Sequence, residues 1–131
     1  MIKNLHHIGY VVPNTNNQFE MWTKFGFKVE IEWKFDPIQN VFCSLLSAPY
    51  QPNVELVAPN SEGKNPLSSR LRRGGGMDHL CYSTSDLELS VRNELSNNSR
   101  LILSRTFACT FNKDISFVMR KSGLIVEYME D

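Results

Sequence analysis

The chain has 131 residues, enough for one domain with a buried core. Fourteen basic side chains balance fourteen acidic ones, which removes any electrostatic reason to expect nucleic acid or an anionic membrane as partner. No apolar run is long enough for a bilayer span and no signal-peptide layout precedes the first strand pattern, so a soluble cytoplasmic protein is expected. Cys43, Cys81 and Cys109 are odd in number and form no C-x-x-C pair, which fits reduced thiols better than a disulfide framework or a zinc knuckle.

Short β-branched and aromatic runs bounded by turn residues predict the strands. The first covers residues 5–12. A helix follows "PNTNNQ", where Thr15 and Gln18 stand at capping-box spacing and Phe19, Trp22 and Phe25 form an apolar stripe. Strands are predicted next over 27–35, 40–46 and 54–58, then a short helix through "NPLSSRLRR", which "GGG" ends. Arg70, Arg72 and Arg73 read as the solvated end of that helix, with phosphate contacts as the alternative. The fifth strand covers 77–84. A second helix starts at "STSDLE", where Ser85 and Glu88 repeat the capping spacing and Leu87, Val91 and Leu95 form the stripe. Strands over 100–104, 115–120 and 124–129 complete the chain. Residues 104–114 between them read as a long connection bordering a site, with Phe107 and Phe111 as a hydrophobic wall.

The order is therefore β-α-β-β-β twice, and the halves align residue by residue. "LHHIGYVV" at Leu5 matches "MDHLCYST" at Met77, and "NVELV" at Asn53 matches "IVEYM" at Ile125. His79 follows His7 by 72 positions, and Glu127 follows Glu55 by the same interval. Strand alternation puts His7, Gly9 and Val11 on one face and Ile8, Tyr10 and Val12 under the first helix. The same parity gathers His79, Cys81 and Ser83, and turns His6 away. Glu55 and Glu127 each interrupt an apolar strand, and a buried carboxylate needs a partner. Packing the halves about a pseudo-twofold axis would bring His7, Glu55, His79 and Glu127 to one point. Two imidazoles and two carboxylates there make a divalent-metal site, suited to Mn, Co, Ni, Fe, Zn or Mg. A buried His-Glu network without metal is the structural alternative. Cys43 and Cys81 are read as small buried thiols, not nucleophiles.

These residues resemble the vicinal oxygen chelate (glyoxalase, bleomycin resistance, dioxygenase) superfamily, and within it the members similar to methylmalonyl-CoA epimerase. The resemblance is carried by "LHHIGYVVPNTNNQFEMWTKFGF", "DPIQNV", "VELVAP", "GGGMDHLCYSTSDL" and "SGLIVEYME". It implies an α+β, glyoxalase-like fold: two tandem βαβββ modules forming a cupped mixed sheet around a metal. The expected layout is one domain over 1–131, with module 1 over about 1–60, a linker helix over about 61–75 and module 2 over about 76–131. His7, Glu55, His79 and Glu127 would be the metal ligands, and Glu127 also a catalytic acid/base if it loosens from the ion. The epimerases carry a second acid/base glutamate immediately before the Gln39 position, where this chain has Ile38. Asp36 is the candidate replacement, although Asp before Pro is also a common turn element.

The expected function is a metal-dependent isomerase, epimerase or lyase that stabilises an enolate of a small carbonyl substrate, an acyl-CoA or carrier thioester being one. A metal-free antibiotic-type binding protein is the alternative, and a ring-cleaving dioxygenase a further one. Superfamily members commonly dimerise, so a homodimer is expected.

Overall fold

The structure is a computed structural model and describes residues 2–131. The chain runs β1 (Ile2–Val11), α1 (Gln18–Lys24), β2 (Lys28–Asp36), β3 (Val41–Ser47), β4 (Val54–Pro59), α2 (Ser68–Arg72), β5 (Gly76–Thr84), α3 (Leu87–Ser96), β6 (Arg100–Ala108), β7 (Lys113–Met119) and β8 (Ile125–Glu130). Eight strands make one mixed sheet in the order β2-β3-β4-β1-β5-β8-β7-β6, the α+β arrangement expected. The order is a palindrome of the two halves about the antiparallel β1–β5 seam. Each half contains one parallel pair, β1 with β4 and β5 with β8.

Register repeats with the interval seen in the sequence. Gly9 pairs with Glu55 across β1–β4, and Cys81 pairs with Glu127 across β5–β8. The β2–β3 ladder runs from Lys28 opposite Ser47 to Asp36 opposite Val41, and β6–β7 from Arg100 opposite Met119 to Ala108 opposite Lys113, with register shifts at equivalent places. Asn40 and Asn112, equivalent turn residues, both have φ 57°.

Alternation along the strands builds the core. Leu46, Val54 and Leu56 pack with Tyr10 and with Phe19 and Trp22 of α1. Their counterparts Val118, Val126 and Tyr128 pack with Leu87 and Val91 of α3. On the opposite, inner face Val11, Cys43 and Val57 cluster with Leu67, and Cys81, Ile115 and Met129 cluster with Phe111 and Phe117. Helices α1 and α3 thus cover the outer face, while α2 packs on one end of the inner face, the rest of which lines a cavity.

Several local expectations are corrected. Thr15 does not cap α1: Asn17 occupies the N-cap in the left-handed region without a side-chain bond, because the Asn14 carboxamide takes the Asn16 N–H and turns the chain first. Asp86 rather than Ser85 caps α3, accepting from Leu89 N. Both helical stripes end early, leaving Phe25 75% and Leu95 42% exposed. The long connection over 104–114 is a short turn over 109–112, since β6 and β7 keep pairing through Phe107 and Asp114. Gly74, Gly75 and Gly76 all have positive φ, and the first two return their amides to Leu71 and Arg70 carbonyls to end α2. Among the described residues no helix is long and apolar enough to cross a membrane.

Candidate metal centre

The four central strands β1, β4, β5 and β8 each deliver one side chain to the seam: His7, Glu55, His79 and Glu127, none more than 5% exposed. His7 Nε2 lies 3.1 Å from Glu127 Oε1 and 3.3 Å from Glu55 Oε1. His79 Nε2 repeats those distances, and the two Nε2 atoms are 3.3 Å apart. Donors about 2.0–2.2 Å from one ion, at tetrahedral or octahedral angles, lie about 2.8–3.6 Å from each other. The donor set therefore fits a single divalent cation in spacing and in chemistry. All four residues come from one chain.

Protons take the cation's place in the electrostatics of the metal-free protein. Burial opposes a charge on His7, but Glu55 and Glu127 overcome it and raise its pKa to about 9. His79 is raised in the same way, burial being outweighed by Asp78, Glu127 and Glu55. Burial pushes both glutamates upward, yet the two imidazoles hold each below the usual carboxylate range. His6, His7 and Cys81 form a second cluster of donor atoms. Burial and then Glu127 and Glu55 push the Cys81 thiol far up, so it offers no thiolate. Cys43 is raised too, again chiefly by burial.

His6 does not turn away, as simple alternation would have it. In the β1–β5 ladder Leu5 pairs with Tyr82 and His7 with Cys81, so His6 is an extra residue in a bulge. The bulge swings its ring back, with Nδ1 2.8 Å from His7 Nδ1. A second bulge lies in β5, where Gly9 pairs with His79 and Tyr10 with Met77, leaving Asp78 as the extra residue. Asp78 Oδ2 is 2.8 Å from His79 Nδ1, and its other oxygen accepts from Arg70 Nε at 3.0 Å. Arg70 is thus drawn inward, while Arg72 and Arg73 are solvated as expected. His6 and Asp78 are equivalent in the repeat. That equivalence, with each residue immediately before a histidine of the donor cluster, is the sequence signal that could have found them.

Gly9 matters for space: a Cβ there would overlap the His79 ring. Asp36 is committed to the turn between β2 and β3. Its oxygens accept from Ile38 N at 2.9 Å, Gln39 N at 3.1 Å and Gln39 Nε2 at 3.0 Å. These three donors leave it little to give a substrate, although it lines the cavity.

That cavity has a volume of about 520 Å³ and is bordered by Glu55, His79 and Glu127 on its polar floor. Phe117 packs edge-on to His79 and Phe111 stacks on His7 with ring centroids 5.2 Å apart. Phe107, the other half of the expected wall, is 41% exposed and takes no part. Thr110 also lines the cavity, and its buried Oγ1 has no hydrogen-bond partner.

The sequence model of the glyoxalase/bleomycin resistance protein/dioxygenase superfamily matches residues 6–117. The chain belongs to this superfamily. Solved structures similar to it include a methylmalonyl-CoA epimerase from Mycobacterium tuberculosis, 25% identical, with a TM-score of 0.81 over 98% of this chain and 88% of that one. A hypothetical protein from Bacillus halodurans C-125 is 20% identical, with a TM-score of 0.84 over 98% and 94%. A Streptomyces coelicolor methylmalonyl-CoA epimerase variant, in complex with 2-nitronate-propionyl-CoA, is 16% identical, with a TM-score of 0.79 over 100% and 99%. The two less similar structures speak for the superfamily fold alone. The search of curated proteins returned no match.

Proposed function

We propose that this superfamily member is a metal-dependent isomerase, epimerase or lyase that labilises a C–H bond beside the carbonyl of a small substrate, with acyl-CoA or carrier thioesters as the leading class. The observation that carries the reading is the buried His7, Glu55, His79 and Glu127 set opening onto the cavity. The similarity to methylmalonyl-CoA epimerases supports the substrate class.

His7, Glu55, His79 and Glu127 would hold the ion, which when bound supplies Lewis-acid polarisation of a carbonyl oxygen. Glu127, which borders the cavity, is the base that takes the proton from the adjacent carbon and returns it once it loosens from the ion. Thr110 offers its cavity-lining hydroxyl to a substrate oxygen. Phe111 and Phe117 keep water from the reacting carbon. Asp36, held by its turn, does not join Glu127 as a second base, and Ile38 beside it carries no titratable group. The chemistry therefore runs on a single base, which favours isomerisation with proton return on one face over epimerisation through two. A homodimer in the cytoplasm remains the setting we propose, but no partner residue is needed to complete the donor set.

The test is α-proton exchange in D2O, with protein loaded with Mn2+ or Co2+ and offered propionyl-CoA, methylmalonyl-CoA and small 2-oxo compounds. Deuterium should enter at the α-carbon of at least one substrate, and Glu127→Gln should slow it by about 10²–10⁴-fold. A metal-loaded protein that exchanges none of them would overturn the reading. Ligand binding by protein that takes up no metal would instead support a metal-free binding protein, and oxygen uptake with catechols a dioxygenase.

A further inference from the structure

The two bulges at the seam have the same position in the repeat and the same effect, but not the same chemistry. Each inserts one residue immediately before a ligand histidine and hydrogen-bonds it to that histidine's Nδ1: His6 to His7, Asp78 to His79. In the first half the partner is another imidazole, half-buried, which can either donate or accept. In the second it is a carboxylate with a 6% exposed side chain, fixed from behind by Arg70 of the helix joining the halves.

We infer that Asp78, clamped by Arg70, is a positioning residue that locks His79 with Nδ1–H donated to the carboxylate and Nε2 aimed at the donor cluster. A carboxylate accepting at Nδ1 keeps a proton there in either charge state of the ring, so when an ion replaces the proton on Nε2 it is Nε2 that presents the lone pair. The bond also fixes the ring plane, which is confined on its other side by the bare Cα of Gly9. Ligand histidines held in this way typically lose 10- to 100-fold in metal affinity, in order of magnitude about that much, when the outer partner is removed. His79 is therefore the rigid anchor of the centre, and His7, backed by a neutral ring, the adaptable ligand. This inference rests on the proposed metal site for its consequence but not for its geometry.

The experiment compares Asp78→Asn with the parent chain in two readouts. In metal-free protein with 15N-labelled histidine, the His79 Nδ1–H proton should give a slowly exchanging downfield resonance that shifts or disappears in Asp78→Asn. In Mn2+ titration the variant should bind about 10- to 100-fold more weakly. Arg70→Gln, which keeps the carboxylate but frees it, should shift both readouts in the same direction by less, and covers the event that Asp78→Asn fails to fold. An unchanged Nδ1–H resonance, or parent-like Mn2+ affinity in Asp78→Asn, would overturn the inference. Absence of Mn2+ binding by the parent chain would instead remove the metal reading of the site, leaving the proton resonance to decide whether Asp78 positions the ring.

Discussion

The two halves of the sheet coincide strand for strand, yet they meet the cavity differently. In the turn between β2 and β3, Ile38 is 61% exposed and Gln39 bonds back to Asp36. In the equivalent turn between β6 and β7, Thr110 is 7% exposed and Phe111 stacks on His7. The second turn also reaches the opposite edge of the sheet, where Lys34 Nζ donates to the Cys109 carbonyl and the Cys109 thiol to the Phe35 carbonyl. Under the helices, Trp22 of the first half sits among apolar rings, while its counterpart Glu94 bonds Arg120, Tyr128 and Ser99. At the seam, Gly9 answers Cys81. The repeated residues supply the donor set, and the unrepeated ones give the cavity an open side, a closed side and a preferred orientation for whatever it holds.

Breaking the repeated part should have the largest effect. His79→Ala or His7→Ala should remove stoichiometric metal and with it the exchange of α-protons, as measured by elemental analysis and deuterium incorporation. Next comes Gly9→Ala, because its new Cβ overlaps the His79 ring. Chemical denaturation should show a loss of about 1–3 kcal/mol together with weaker metal binding. The equivalent Cys81→Ala, which only removes volume, should cost about 1 kcal/mol.

Glu94 sharpens the comparison under the helices. Burial works against its charge, but Arg120, Tyr128 and Ser99 hold its pKa below the usual carboxylate range. A depressed carboxylate stabilises the fold above its ordinary pKa and loses that contribution as pH falls through the lowered value. Glu94→Gln should therefore cost about 1–2 kcal/mol at neutral pH and flatten the acid limb of the stability profile. Trp22→Phe should leave that limb unchanged.

A further effect, read from pH and needing no substitution, concerns the metal-free centre. Burial opposes protonation of His7, but the glutamates raise its pKa from 6.5 to about 9. The stabilisation from this proton is complete below the ordinary value and disappears as pH rises through about 9. Thermal melts of metal-free protein should consequently fall between pH 6.5 and 9, whereas metal-loaded protein, with the cation replacing the protons, should hold its midpoint.

Much of this was legible in the sequence because the repeat turns weak signals into paired ones. A histidine in a strand says little, but His7 and His79 with Glu55 and Glu127 at the same spacing specify which strands must meet. Alternation then assigns the outer face, and Leu46, Val54 and Leu56 recur as Val118, Val126 and Tyr128. What stayed hidden is what alternation cannot express. A bulge leaves no mark in a hydrophobic pattern, so His6 was assigned to the wrong side and Asp78 was not singled out. Glu94 follows Leu87 by two turns on the covered face of α3, and the partners that allow a carboxylate there lie far along the chain. Asp36 was ambiguous between acid/base and turn, and only the positions of the Ile38 and Gln39 donors separate the two.

The most direct test of the shared donor set is metal content after loading with Mn2+ and extensive dialysis, in the parent chain and in the His7→Ala/His79→Ala double variant. The account predicts one ion retained per chain in the parent and none in the folded double variant. No retention in the parent, or equal retention in both, would contradict it.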